Sequence, residues 1–107
     1  MRVLMLPTED QMRGEESGIV RVNLAYRKYL PEFGVELVDE YDSYDLKAVH
    51  AGCNTENIDL ALCHGLYWCA DYPCNKWEYK TNGKVIEVLR QAKKITVPST
   101  WVAESIM

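Results

Sequence analysis

The side chains best suited to chemistry in this sequence gather around His64 and Gly65, which follow the run Ile58-Asp59-Leu60-Ala61-Leu62-Cys63. A short, nearly continuous apolar run is what a strand covered on both faces by helices requires, so the histidine stands at the strand's C-terminal end. In open α/β sheets ligands bind at that end, because the loops leave the sheet there. An imidazole facing such a cleft can orient a bound group or stabilise charge that develops on it. The plain alternative is a strand-end histidine that merely satisfies its own hydrogen bonds. His50 ends an earlier apolar run and reads as a strand terminator of this plainer kind.

Two serines stand where helices begin. Ser17 precedes Gly18 and the helical spacing Ile19, Val22, Tyr26, Leu30, Phe33, and Ser99 precedes Thr100 and a last helical stretch to Met107. Each is a natural N-cap, and a hydroxyl at a helix N-terminus can also contact a ligand. Cys53, Cys63, Cys69 and Cys74 lack the Cys-x-x-Cys spacing of structural zinc sites, and nothing else suggests a secreted disulfide framework. They are read as four reduced thiols with no metal. Tyr67, Trp68, Tyr72 and Trp77 could stack on a ligand, but aromatics in such a position more often pack.

The elements that must position these residues alternate. Strands are expected at Val3 to Leu6, Val35 to Val38, Leu46 to Ala51, Ile58 to Cys63 and Ile95 to Val97. Helices are expected from Gly18, stopped by Pro31 and Gly34, and over Val85, Val88, Leu89 and Ala92. The segment Leu66 to Tyr79 reads as irregular or briefly helical, with Asn75 and Glu78 spaced as a capping box. This pattern predicts an α/β fold: a Rossmann-like parallel sheet of about five strands with helices on both faces, incomplete at the C-terminus. The first strand is expected to be central, flanked by those at Val35 to Val38 and Ile58 to Cys63.

At 107 residues the chain is one domain long, and its net charge of −4 gives no basic footprint for nucleic acid. No segment is long enough to span a membrane and no signal-peptide pattern opens the chain, so the sequence reads as cytoplasmic.

Four landmarks occur in fixed order: Ser17-Gly18-Ile19-Val20-Arg21, Tyr44-Asp45-Leu46-Lys47-Ala48-Val49-His50, Leu62-Cys63-His64-Gly65, and Ile95-Thr96-Val97-Pro98-Ser99-Thr100-Trp101-Val102-Ala103-Glu104. Together they resemble the N-terminal domain of a family 4 (group 1) glycosyltransferase of GT-B fold. The resemblance implies an enzyme that transfers a sugar from a nucleotide-sugar donor to an acceptor, with no other cofactor. It implies that residues 1–107 are the acceptor-side domain, and that a C-terminal donor-binding domain lies outside them. Alone, these residues would be inactive. By position, His64 would be catalytic, while Ser17, Gly18, Gly65, Ser99 and Thr100 would bind substrate. The sequence departs from the family's pattern where Ser17-Gly18, beside Glu15 and Glu16, replaces paired glycines.

The alternative is a non-catalytic flavodoxin-like or receiver-type module. A receiver would place acidic residues at the strand ends now held by histidines and serines, and a dinucleotide fold would show Gly-x-Gly-x-x-Gly, which the sequence lacks.

Overall fold

A computed structural model describes residues 1–53, 55–67 and 74–106. Five strands, β1 (Arg2–Leu6), β2 (Glu36–Val38), β3 (Leu46–His50), β4 (Leu60–Leu62) and β5 (Lys94–Thr96), form one parallel sheet in the order β2-β1-β3-β4-β5. Among the described residues four α-helices accompany them, α1 (Glu9–Met12), α2 (Gly18–Tyr29), α3 (Lys76–Gln91) and α4 (Thr100–Ile106), with a short 3-10 turn over Leu30–Phe33 after α2. The α/β class and the Rossmann-like parallel sheet are as expected.

One neighbour of β1, the strand β2, is as expected, and the other is not. Strand β1 lies between β2 and β3, and β4 pairs with β3 instead. The connection over residues 51–59 carries no helix in its described part, so the chain re-enters the sheet beside the strand it has just left.

Two aspartates fix this arrangement at the N-terminal edge. Asp45 donates its N–H to the Arg2 carbonyl at 2.8 Å, and its carboxylate accepts from the Arg2 N–H at 2.8 Å. Asp59 repeats the device on the next strand pair. Its N–H donates to the Lys47 carbonyl at 3.1 Å, and its carboxylate accepts from the Lys47 N–H at 2.9 Å. Each aspartate immediately precedes its strand, so each closed pair sets the register that follows: Val3 opposite Leu46, and Ala48 opposite Leu60. Asp59 also holds Lys93 at 3.0 Å and accepts the Lys94 N–H on its carbonyl, tying β5 to the same point.

Strand alternation sends residues to two faces. On one, Leu4, Leu6, Val49, Ala61 and Cys63 pack with Val85 and Val88 of α3 and Val102 of α4. On the other, Val3, Met5, Ala48 and Leu62 lie toward Tyr26 of α2 and Leu30 just beyond it.

Several local readings change. The loop after β1 contains α1, capped by Thr8, whose hydroxyl accepts from the Gln11 N–H. Helix α3 begins nine residues before Val85 and includes Gly83, because Glu78 closes onto the Asn75 N–H at 2.9 Å and gives the helix a firm start. Ile19 and Val22 of α2, and Phe33 beyond its end, are not the buried face. Val20 and Asn23 are buried, and Arg27 is half-buried. The reason is that carbonyls at the end of β1 need donors: Asn23 donates to the Pro7 carbonyl, and Arg27 donates to those of Met5 and Pro7. Cys53 and Cys63 are free, but Cys74 is disulfide-bonded, which corrects the reading of four reduced thiols. Ligand-set spacing does not report on a bridge, which needs only two sulfurs within bonding reach. Cys69 lies outside the described residues, as do Trp68 and Tyr72.

Replacing Asp59 by alanine should lower stability at neutral pH by about 1–2 kcal/mol, because it removes a charged acceptor from a backbone N–H. The Lys47 N–H and Lys93 hold the Asp59 carboxyl below its ordinary pKa. Its contribution is therefore present above the unfolded value and lost as pH falls through the folded one. Urea unfolding at neutral and acid pH checks both: the gap between the two proteins should close in acid.

Candidate functional site

The clamped register at one edge of the sheet decides what meets at the other. His50 pairs with Leu62 across β3 and β4, and His64 follows two residues later, so both imidazoles lie on the face that carries α2. His50 Nδ1 and His64 Nε2 are 2.7 Å apart, a hydrogen bond between two rings. The rings lie 5.0 Å apart and 13° from parallel.

His50 is 1% exposed and sits beneath α2, its ring 6.3 Å from that of Tyr26. Burial, reinforced by the neighbouring His64 and by Arg27, pushes its pKa down to about 4. Its Nε2 is buried without a hydrogen-bond partner among the described residues. His64 is half-exposed, and burial lowers its pKa too. Both shifts favour the neutral rings.

His64 lines a cavity of about 160 Å³ walled by Val22 and Tyr26 of α2, Leu62, Thr96 and Pro98. The position is the C-terminal edge of β4 and β5, where a parallel sheet presents ligands to loops. Gly65 lets the chain leave the edge: its φ of +114° is a conformation that strains any side-chain-bearing residue. A Cβ there would lie 3.8 Å from Val102 of α4, so conformation rather than space calls for glycine. Just beyond, Tyr67 exchanges two backbone hydrogen bonds with the Asn82 side chain on α3 and packs edge-on against Trp77. Those two aromatics pack against each other.

Of the residues singled out from sequence, His64 stands in the cavity wall. Ser17 caps α2 by accepting the Val20 N–H at 3.2 Å, and Gly18 lies one turn before Val22. Ser99 caps α4 by accepting the Val102 N–H at 3.2 Å, next to Pro98 in the wall and Thr100 at the helix start. Ser17, Gly18, Ser99 and Thr100 are exposed. Of the candidate residues only His64 lines the cavity; Ser17, Gly18, Gly65, Ser99 and Thr100 do not.

Sequence reasoning missed His50 as the partner of His64. The signal was present: two strand-ending histidines reach the same face if their strands are adjacent and in this register. Placing β4 beside β1 hid it. A roomier groove of about 680 Å³ lies elsewhere, along the outer edge of β2, but Glu9, Asp10, Glu36 and Asp39 there outnumber Arg27. Among the described residues no cluster of three or more metal-ligating side chains occurs. No described helix is long and apolar enough to cross a membrane.

Comparison with protein-family models, curated proteins and solved structures finds no match for the chain.

The titration of His50 has a readable sign. Its folded pKa of about 4 lies below the ordinary 6.5. Stability is therefore full above the unfolded value and is lost as pH falls from there toward the folded one. Urea unfolding at about pH 7.5 and about pH 5.5 should show a loss of about 1 kcal/mol, and His50→Asn should remove most of it. A flat profile across that range would contradict the burial of a neutral His50.

Proposed function

We propose that this chain is the acceptor-side domain of a glycosyltransferase of GT-B type, which transfers a sugar from a nucleotide-sugar donor to an acceptor. The observation that carries the reading is His64 itself. It stands at the C-terminal edge of a parallel sheet, in the wall of a cavity that also includes Pro98, just before the Ser99-capped start of α4. On this reading the acceptor or the transferred sugar enters the cleft at His64, and the imidazole orients it or stabilises charge developing on an oxygen. Ser17 with Gly18, and Ser99 with Thr100, would offer hydroxyls and helix-start N–H groups to substrate oxygens at the rim. Gly65 would keep the backbone beside His64 open. The paired acidic residues and most nucleotide contacts of such enzymes would come from a second domain.

One observation favours a second reading, a non-catalytic flavodoxin-like or receiver-type module: the strand order 2-1-3-4-5 is the one such folds use. Against it stand the histidines at the ends of β3 and β4, where those modules need acidic residues or a phosphate loop.

The natural protein carrying this domain should release nucleoside diphosphate from a nucleotide-sugar in the presence of acceptor. His64→Ala should slow that release by about ten- to a hundredfold, the loss of one transition-state contact. Its unfolding midpoint should stay close to that of the parent. Flavin binding seen by fluorescence, together with no nucleotide-sugar dependence, would favour the second reading.

A further inference from the structure

The hydrogen bond between the two histidines can be written in two directions, and they differ in what His64 offers a ligand. If His64 Nε2–H donates to His50 Nδ1, then His50 carries its own proton on Nε2. If His50 Nδ1–H donates to His64 Nε2, then His50 Nε2 is a bare lone pair, and the proton of His64 sits on Nδ1. His50 Nε2 is buried and, among the described residues, has no partner. The first direction buries an orphaned N–H. The second buries only an unused lone pair, and orphaned buried donors are much the rarer.

We infer that His50 is a positioning residue that donates from Nδ1 to His64 Nε2 and thereby fixes His64 as the Nδ1–H tautomer. The inference rests on the reading of His64 as the ligand-facing group. Among the described residues His64 Nδ1 has no hydrogen-bond partner, so its N–H is left for a ligand. His64 then meets its ligand as a neutral hydrogen-bond donor. Its chemical preference is for an oxygen acceptor: a hydroxyl, a carbonyl, or an oxyanion as negative charge grows on it. It is not set up to remove a proton, since its one basic nitrogen is already occupied by His50.

The two rings are also coupled. To accept a proton at Nε2, His64 would have to turn the bond around and leave His50 with a buried, unpaired Nε2–H. Orphaning that donor opposes protonation of His64. Burial, which already lowers the pKa of both rings, acts in the same sense. Asn23 and Arg27, on the helix above, are committed to the carbonyls of Met5 and Pro7, and Arg27 adds positive charge near His50.

The test is nitrogen NMR of the uniformly labelled chain near neutral pH, without substrate. Expected in the parent are a protonated Nδ1 and a bare Nε2 on His64, a protonated Nδ1 on His50, and a scalar coupling across the bond between the two rings. His50→Asn can still donate an amide N–H from nearly the same place and should keep the His64 tautomer. His50→Phe cannot, and His64 should become a mixture. In the transfer reaction His50→Phe should lose about tenfold or more, with His50→Asn within a few-fold of the parent. Should His50→Phe fail to fold, the parent spectrum decides alone. A proton on His64 Nε2 in the parent, or a His64 tautomer that ignores His50→Phe, overturns the inference. The tautomer is read without any sugar donor, so it is answered separately from whether the protein transfers sugar.

Discussion

The structure depends on two backbone-and-carboxylate clamps at the N-terminal edge of the sheet. Asp45 and Asp59 each exchange a pair of hydrogen bonds with one residue of the neighbouring strand, Arg2 and Lys47. A parallel strand enters the sheet with unpaired backbone groups, and a preceding aspartate satisfies them with an acceptor at no cost in chain length. Slipping the pairing by one residue would break the clamp and turn every side chain to the opposite face. The meeting of His50 and His64 at the far edge is thus set by residues at the near one.

The polar stripe of α2 follows from a related need. Where β1 ends, the carbonyls of Met5 and Pro7 have left the ladder, and a buried acceptor without a donor costs free energy comparable to a lost hydrogen bond. Asn23 and Arg27 supply donors there, with Arg27 steadied by its Nε contact to Asn23 Oδ1 at 2.7 Å. The helix consequently turns Val22 and Tyr26 toward the cavity at His64. Apolar spacing alone pointed that face at the core, since an amphipathic reading gives an asparagine and an arginine no inward role.

Much of the fold was legible because its elements obey simple periods. The apolar runs at Val3 to Leu6 and around Leu60 to Leu62, the Ser17 cap and the Asn75 and Glu78 pairing all have local causes, and each forms where expected. Strand order was less legible, since the position of β4 depends on Asp59 reaching Lys47, a contact between residues far enough apart that no local pattern records it. The place of His64 just past the end of β4 could be read from its apolar run. The pairing of His50 with it was legible only as two strand-ending histidines, and it emerges once their strands are set side by side. The extent of α3 was obscured by Gly83, a helix-weakening residue that the start at Asn75 and Glu78 overrides.

The outer strands of the sheet have a bearing on how copies of this molecule behave together. Strands β2 and β5 are each three residues long and stand at the two ends of the sheet. An edge strand templates the addition of another chain through its row of free backbone groups, and three residues give a row too short to hold a foreign strand against thermal motion. Glu36 on one rim and Lys94 on the other add a charge that an incoming strand must desolvate. Brevity at the rims is a solubility device, and lengthening either strand with apolar residues would convert a self-limiting sheet into one prone to stack end on end.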